Sequence, residues 1–154
     1  MRNNKRKHKA FTLVELLLVM GLIAVLATVV LVAVNPGRQF AQARDTQRIA
    51  HLNTILNGVS QRLADHRGLF EEGCAAGPIP NVPTTIGSQA GSYNMLPCLS
   101  PDYLSSFPTD PKTGSFTSAS SYDSKYRIVA EATSSRIIVS APDTEIGSII
   151  SVSR

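Results

Sequence analysis

Three stretches of different pattern divide the chain. Residues 11–34, FTLVELLLVMGLIAVLATVVLVAV, are apolar almost throughout and carry one charge, Glu15. The 19 residues from Leu16 to Val34 hold no charge, enough to cross a bilayer core of roughly 30 Å at about 1.5 Å per helical residue. Asn35-Pro36-Gly37 interrupts the run. Pro36 lacks a backbone donor and crowds the preceding turn, so a kink or local melting is expected at Pro36 and Gly37. Residues 35–67 then return to a helical period: Ile49, Leu52, Leu56, Val59 and Leu63 step by three and four, with Ile55 beside them, which is one apolar stripe. Arg44, Asp45, Gln47, Arg48, Asn57 and Arg62 are expected on the opposite face, where Asp45 and Arg48 are spaced to pair weakly. Gly58 costs this helix up to about 1 kcal/mol against Ala, and Gly68, after His66 and Arg67, is the expected stop.

The third stretch, residues 68–154, has no long period. Its 73–124 segment is rich in Gly, Pro, Ser and Thr and holds seven of the nine prolines between Pro78 and Pro111. That composition predicts irregular loops and turns rather than a central strand or helix. Leu96, Leu99, Tyr103, Leu104 and Phe107 are the apolar pins that would hold it to a core. From 125 to 153 the pattern turns to strands: Lys125–Thr133 alternates, with Tyr126, Ile128, Ala130 and Ala132 on one side, and Arg136–Ala141 and Ile146–Val152 are β-branched runs. Three short strands predict an antiparallel meander. With the helical stripe laid on one face, the fold class is α+β: a long N-terminal helix, membrane-spanning in its first half, packed on a small C-terminal antiparallel β-sheet.

Charge changes the picture only once it is located. The formal net charge is +4, which by itself suggests a nucleic-acid or membrane-surface partner. Five basic residues, Arg2, Lys5, Arg6, Lys7 and Lys9, lie in the first ten positions with no acid. Removing them from 15 basic residues leaves ten against 11 acidic ones, so the body of the chain is slightly acidic and no nucleic-acid partner is expected. A basic cluster before an apolar helix stays on the cytoplasmic side, which puts the N-terminus inside and the rest outside. The apolar run is longer than the core of a secretory signal and ends in Val-Asn-Pro-Gly, not a small-x-small cleavage site.

Cys74 and Cys98, the only cysteines, then fall in an oxidising space and bracket the Pro-rich loop. One disulfide is expected, worth roughly 3 kcal/mol by loop closure. No Ser-His-Asp set, phosphate loop, His-Glu-x-x-His or paired carboxylates appears, and His51 and His66 are solitary on the helix, so no catalytic residues are expected.

Lys9-Ala10-Phe11-Thr12-Leu13-Val14-Glu15, a basic leader joined to F-T-L-V-E and a long apolar run, resembles the N-terminus of type IV pilins and type II secretion pseudopilins. The resemblance spans about 25 residues. It implies a pilin-like fold, with 1–10 as a cytoplasmic leader, 11–34 as a transmembrane and polymerisation helix, 35–67 as the amphipathic second half and 68–154 as a globular head. It implies a prepilin peptidase that cuts between Ala10 and Phe11 and methylates the new Phe11 amine; Ala10 stands where the family usually has Gly. It makes Glu15, with Phe11, the assembly pair. Ala-Arg-Asp-x-x-Arg after the membrane segment is also similar to pilins, and Asp110-Pro111-Lys112-Thr113-Gly114 resembles a segment before the sheet of the major pseudopilin, near which some members bind calcium. Asp102, Asp110, Asp123 and Asp143 could supply oxygens; without EF-hand spacing they read as turn residues. No cofactor is expected, and Asp110 and Asp123 are the calcium candidates. The partners implied are other copies or related subunits, the peptidase, the inner-membrane assembly machinery and, before assembly, lipid. The expected location is the bacterial cytoplasmic membrane and then a surface filament. A monomeric, single-pass anchored binding module outside the cytoplasm stays open as the alternative.

Overall fold

The computed structural model describes residues 11–134, 136–147 and 149–154. The chain divides into two compact units, Met1–Gln39 and Phe40–Arg154. In the first, α1 spans Leu13–Val34. Its residues are apolar on every side, so the helix has no preferred face to bury. Thr12 caps it: in extended conformation, its Oγ1 accepts from the Glu15 N–H at 3.2 Å, which satisfies one of the four donors a helix start leaves open.

The expected interruption is a single residue. Asn35 takes the left-handed conformation (φ 45°) and Pro36 opens α2, Pro36–Asp65. Pro36 is therefore the first residue of a new helix, where its missing N–H costs nothing, and Asn35 Oδ1 accepts from Arg38 N–H at 3.4 Å. α2 ends at Asp65 rather than Arg67. Arg67 (φ 54°) and Gly68 (φ 89°) turn left-handed, and the Gly68 N–H reaches back to the Leu63 carbonyl at 2.7 Å, a helix stop that glycine adopts without strain.

In the second unit, the α2 residues Leu52, Ile55, Leu56 and Val59 share one core with Tyr122, Tyr126, Ile128, Val139 and Ala141 of the sheet. The stripe is broader and more polar than its hydrophobic spacing indicates. Asp45, Arg48 and Arg62 are buried on it, against the expectation that they line the opposite face, whereas Ile49 is 43% exposed. Positions 45, 48, 52, 55, 59 and 62 step by three and four, so all lie on one face. Buried hydrogen-bond partners make the three charges tolerable there. Gly58 lets the helix meet Leu104, whose Cγ would stand 3.1 Å from an added Cβ.

The sheet has five strands, not three. β1 (Thr84–Gly87), a short helix α3 (Leu96–Leu99) and β2 (Ser115–Ser118) all lie within the segment expected to be irregular. β3 (Ser121–Ala130) starts four residues earlier than its alternation indicated, β4 is Ile137–Ala141 and β5 is Ile150–Ser153. The order is β1-β3-β4-β5 with β2 also on β3, all antiparallel. β1 and β2 meet β3 on opposite sides, since Asp123 pairs with both Gly87 and Ser115. Their four-residue, polar sequences carry too little alternation to be seen, and β3 supplies the pairing that makes them strands. Ile146, Gly147 and Ile149, expected as part of the last strand, precede β5, and the Ile146 N–H donates to Asp45 of α2; Ser148, in the same expected strand, lies outside the described residues.

Candidate functional site

Phe11 is the first described residue and is 73% exposed; Ala10, and with it the expected cleavage junction, lies outside the described residues. Glu15 occupies the third helical position of α1, where a carboxylate favours the N-terminal dipole. Thr12-x-x-Glu15 is the sequence of a capping box, a signal that hydrophobic patterning passes over. Behind it the large apolar side chains stay open, from Val19 at 45% to Val32 at 80% exposed. Leu13–Ala33 is long and apolar enough to cross a membrane. A surface this apolar and this exposed requires a covering of lipid or protein.

The prokaryotic N-terminal methylation motif matches residues 5–31. The chain carries a prepilin-type N-terminal signal. The match takes in the second half of the basic leader, the Ala10–Phe11 junction, Glu15 and most of α1 and stops before the head. No curated protein and no solved structure gives a match to the chain.

The head holds a second cluster, closed on itself. Arg48, fully buried, donates from Nε and Nη2 to the two Asp110 oxygens (2.7 and 3.1 Å) and from Nη1 to Asp45 (2.7 Å) and Glu145 (3.3 Å). Arg44 forks onto Glu145 (2.6 and 2.8 Å) and Lys112 Nζ reaches it at 3.0 Å. Asp45 accepts the backbone N–H groups of Glu145 and Ile146. Three cations thus face three carboxylates, joining α2 to the turn at 110–114 and to the loop between β4 and β5. Burial would raise the Asp110 carboxyl, but Arg48 and the Thr113 and Lys112 N–H groups hold it down to about 2. Burial works the same way on Asp45 and is outweighed by the Glu145 N–H, Arg48 and the Ile146 N–H, which leave it lowered. Glu145 is held well below the usual range by hydrogen bonds from Arg44 and Lys112. Gly114 is required by the turn: an added Cβ would lie 2.5 Å from the Asp110 nitrogen.

Asp110, a calcium candidate, thus has both oxygens occupied by the protein's own donors. Asp123 is paired with Lys125 Nζ at 2.7 Å and faces an open polar hollow of about 540 Å³ beside Arg127 and Asp143. Among the described residues no three His, Cys, Asp or Glu side chains gather as a metal site. Cys74 and Cys98 form a disulfide. His51 Nδ1 shares a hydrogen bond with the Tyr126 hydroxyl at 2.9 Å, a packing contact, and burial lowers its pKa.

Proposed function

We propose that this chain is a structural pilin-like subunit of a type IV pilus or a type II secretion pseudopilus. It enters the bacterial cytoplasmic membrane with its N-terminus inside. A prepilin peptidase cuts between Ala10 and Phe11 and methylates the Phe11 amine, and assembly machinery in the inner membrane moves the subunit into a surface filament. The observation that carries this reading is the methylation motif at residues 5–31 lying on a helix exposed on all sides. Lipid covers that helix before assembly, and neighbouring copies of α1 cover it afterwards, an exchange of one apolar surrounding for another.

Glu15 has a specific task in this account. A carboxylate inside a membrane helix costs roughly 2.5–3.5 kcal/mol on insertion scales. The amine created at Phe11 lies four residues before Glu15 of its own chain, ahead of the Thr12 cap, and on assembly Glu15 takes the Phe11 amine of a neighbour. The pair cancels two charges in an apolar core and sets the axial register of the subunits, as polar groups do in helix bundles. The self-contained charges of the head suit an outer coat, and the role needs no metal ion or cofactor.

The test is assembly by Glu15→Ala and Glu15→Gln chains in cells that supply the peptidase and assembly system. Sheared filaments are measured by sedimentation and electron microscopy. Both variants are expected to accumulate in the membrane while filament mass falls at least about tenfold. Wild-type filament levels from either would remove the pairing role, and absence of filaments from the parent chain would favour the monomeric anchored module.

A further inference from the structure

Arg62 stands apart from the charge cluster. It is 6% exposed, yet none of the ion pairs among the described residues involves it. Its guanidinium is spent on main-chain carbonyls instead. Nε donates to Phe70 O at 2.7 Å, Nη1 to Cys98 O at 2.9 Å and Nη2 to Glu72 O. Its Cζ lies 5.6 Å from the centre of the Phe70 ring and 5.9 Å from that of Tyr103, close enough for cation–π attraction. One rigid planar group therefore grips the Cys98 carbonyl and, in the segment leading to Cys74, those of Phe70 and Glu72. None of these contacts passes through sulfur. The two cysteines also differ in access: Cys98 is 2% exposed, whereas Cys74 is only partly buried.

We propose that Arg62 is the template for oxidation of this pair, holding both cysteine segments in place in the reduced, folded chain so that a disulfide-bearing oxidant reacts at Cys74 and Cys98 resolves the product. The Cys74 thiolate attacks one sulfur of the oxidant, the oxidant's S–S bond breaks, and one thiol leaves with a proton. Cys98 then loses its proton and attacks Cys74 Sγ. The mixed disulfide breaks, the Cys74–Cys98 bond forms, and the second thiol leaves. Two cysteine thiols are oxidised and one disulfide is reduced to two thiols.

The test uses the full chain in detergent micelles, reduced and then exposed to glutathione disulfide, with alkylation of the quenched samples and mass mapping. In the Cys98→Ser chain, glutathione is expected on Cys74 without a lag. In the Cys74→Ser chain, Cys98 is expected to resist modification until urea unfolds the protein. Closure from the mixed disulfide is expected to be at least about tenfold faster in the native parent chain than in urea, and slowed by a similar factor in Arg62→Met and Arg62→Lys, the worth of about one charge-assisted hydrogen bond. Lysine keeps the charge but cannot span three carbonyls. Equal reactivity of the two native cysteines, or native closure no faster than in urea, would overturn the proposal even if the Arg62 variants fail to fold. Folded variants that close at the parent rate would overturn the role of Arg62.

Discussion

Leu26 of α1 and Leu52 of α2 are the same side chain in the same kind of secondary structure, yet one is 57% exposed and the other 0%. The difference separates two ways of satisfying a sequence. In the unit Phe40–Arg154, buried groups find partners within the chain. Leucines meet the sheet, Arg48 meets Asp110, Asp45 and Glu145, and Arg62 meets carbonyls. In α1, apolar on all sides, no face is covered by its own unit, and Glu15 is the one charge. The first region buries its core within the chain. The second needs a covering of lipid or protein.

Substitutions that exchange the two behaviours test the contrast. The largest effect is expected from Arg48→Met, which strips the buried Asp110 carboxylate of its cation. Removing one partner of a buried pair costs about 3–5 kcal/mol, read by urea unfolding of the head while α1 keeps its helical signal. Leu52→Ala follows, at about 2–5 kcal/mol from lost transfer energy and the cavity left behind; Leu26→Ala, its counterpart, should move head stability by no more than about 0.5 kcal/mol. A large effect of the α1 change on the head would break the contrast.

Acid acts on the head through its paired carboxylates. Asp110 has a folded value of about 2 against 3.8, and Asp45 and Glu145 shift in the same direction. Each binds its proton less readily when folded, so its stabilisation is fully present above the ordinary carboxyl values and is lost as pH falls through the folded ones. The melting temperature of the head should fall in two steps: a small one below about pH 6.5, where the unfolded chain protonates the His51 ring that burial keeps neutral when folded, and a larger one below about pH 4. A flat profile down to about pH 5 would show that His51 binds its proton equally well folded and unfolded. A smaller effect, confined to α1, is expected for Thr12→Ala, which removes the cap of that helix. It should weaken the first turn by about 1 kcal/mol, seen as faster amide exchange at Glu15, whose N–H the Thr12 hydroxyl accepts, with the head unchanged.

Much of α1 was legible because a leader, an uncharged run and one carboxylate need only local pattern. The α+β class, the left-handed stop near Gly68 and the inward residues Tyr126 and Ile128 of β3 were legible for the same reason. The charge cluster was not. An arginine on an amphipathic helix reads as a solvent-facing residue, and the partners that bury Arg48 lie 62 and 97 positions away, beyond any periodicity. Two signals were present: the step of three and four through Asp45, Arg48, Leu52, Ile55, Val59 and Arg62, and Asp110 opening a tight turn with Gly114. β1 and β2 were hidden for a different reason. Thr84–Gly87 and Ser115–Ser118 become strands because β3 pairs with them, not because they alternate.

The measurement that bears most directly on the subunit's function is the intact mass of the chain isolated from membranes of cells that contain a prepilin peptidase. A chain that begins at Phe11 and, with its disulfide counted, is heavier by one CH2 than the unmodified sequence from that residue, a methyl group having replaced a hydrogen, is the expected result. A chain that retains Met1–Ala10 under those conditions would contradict the account and leave α1 as a plain membrane anchor.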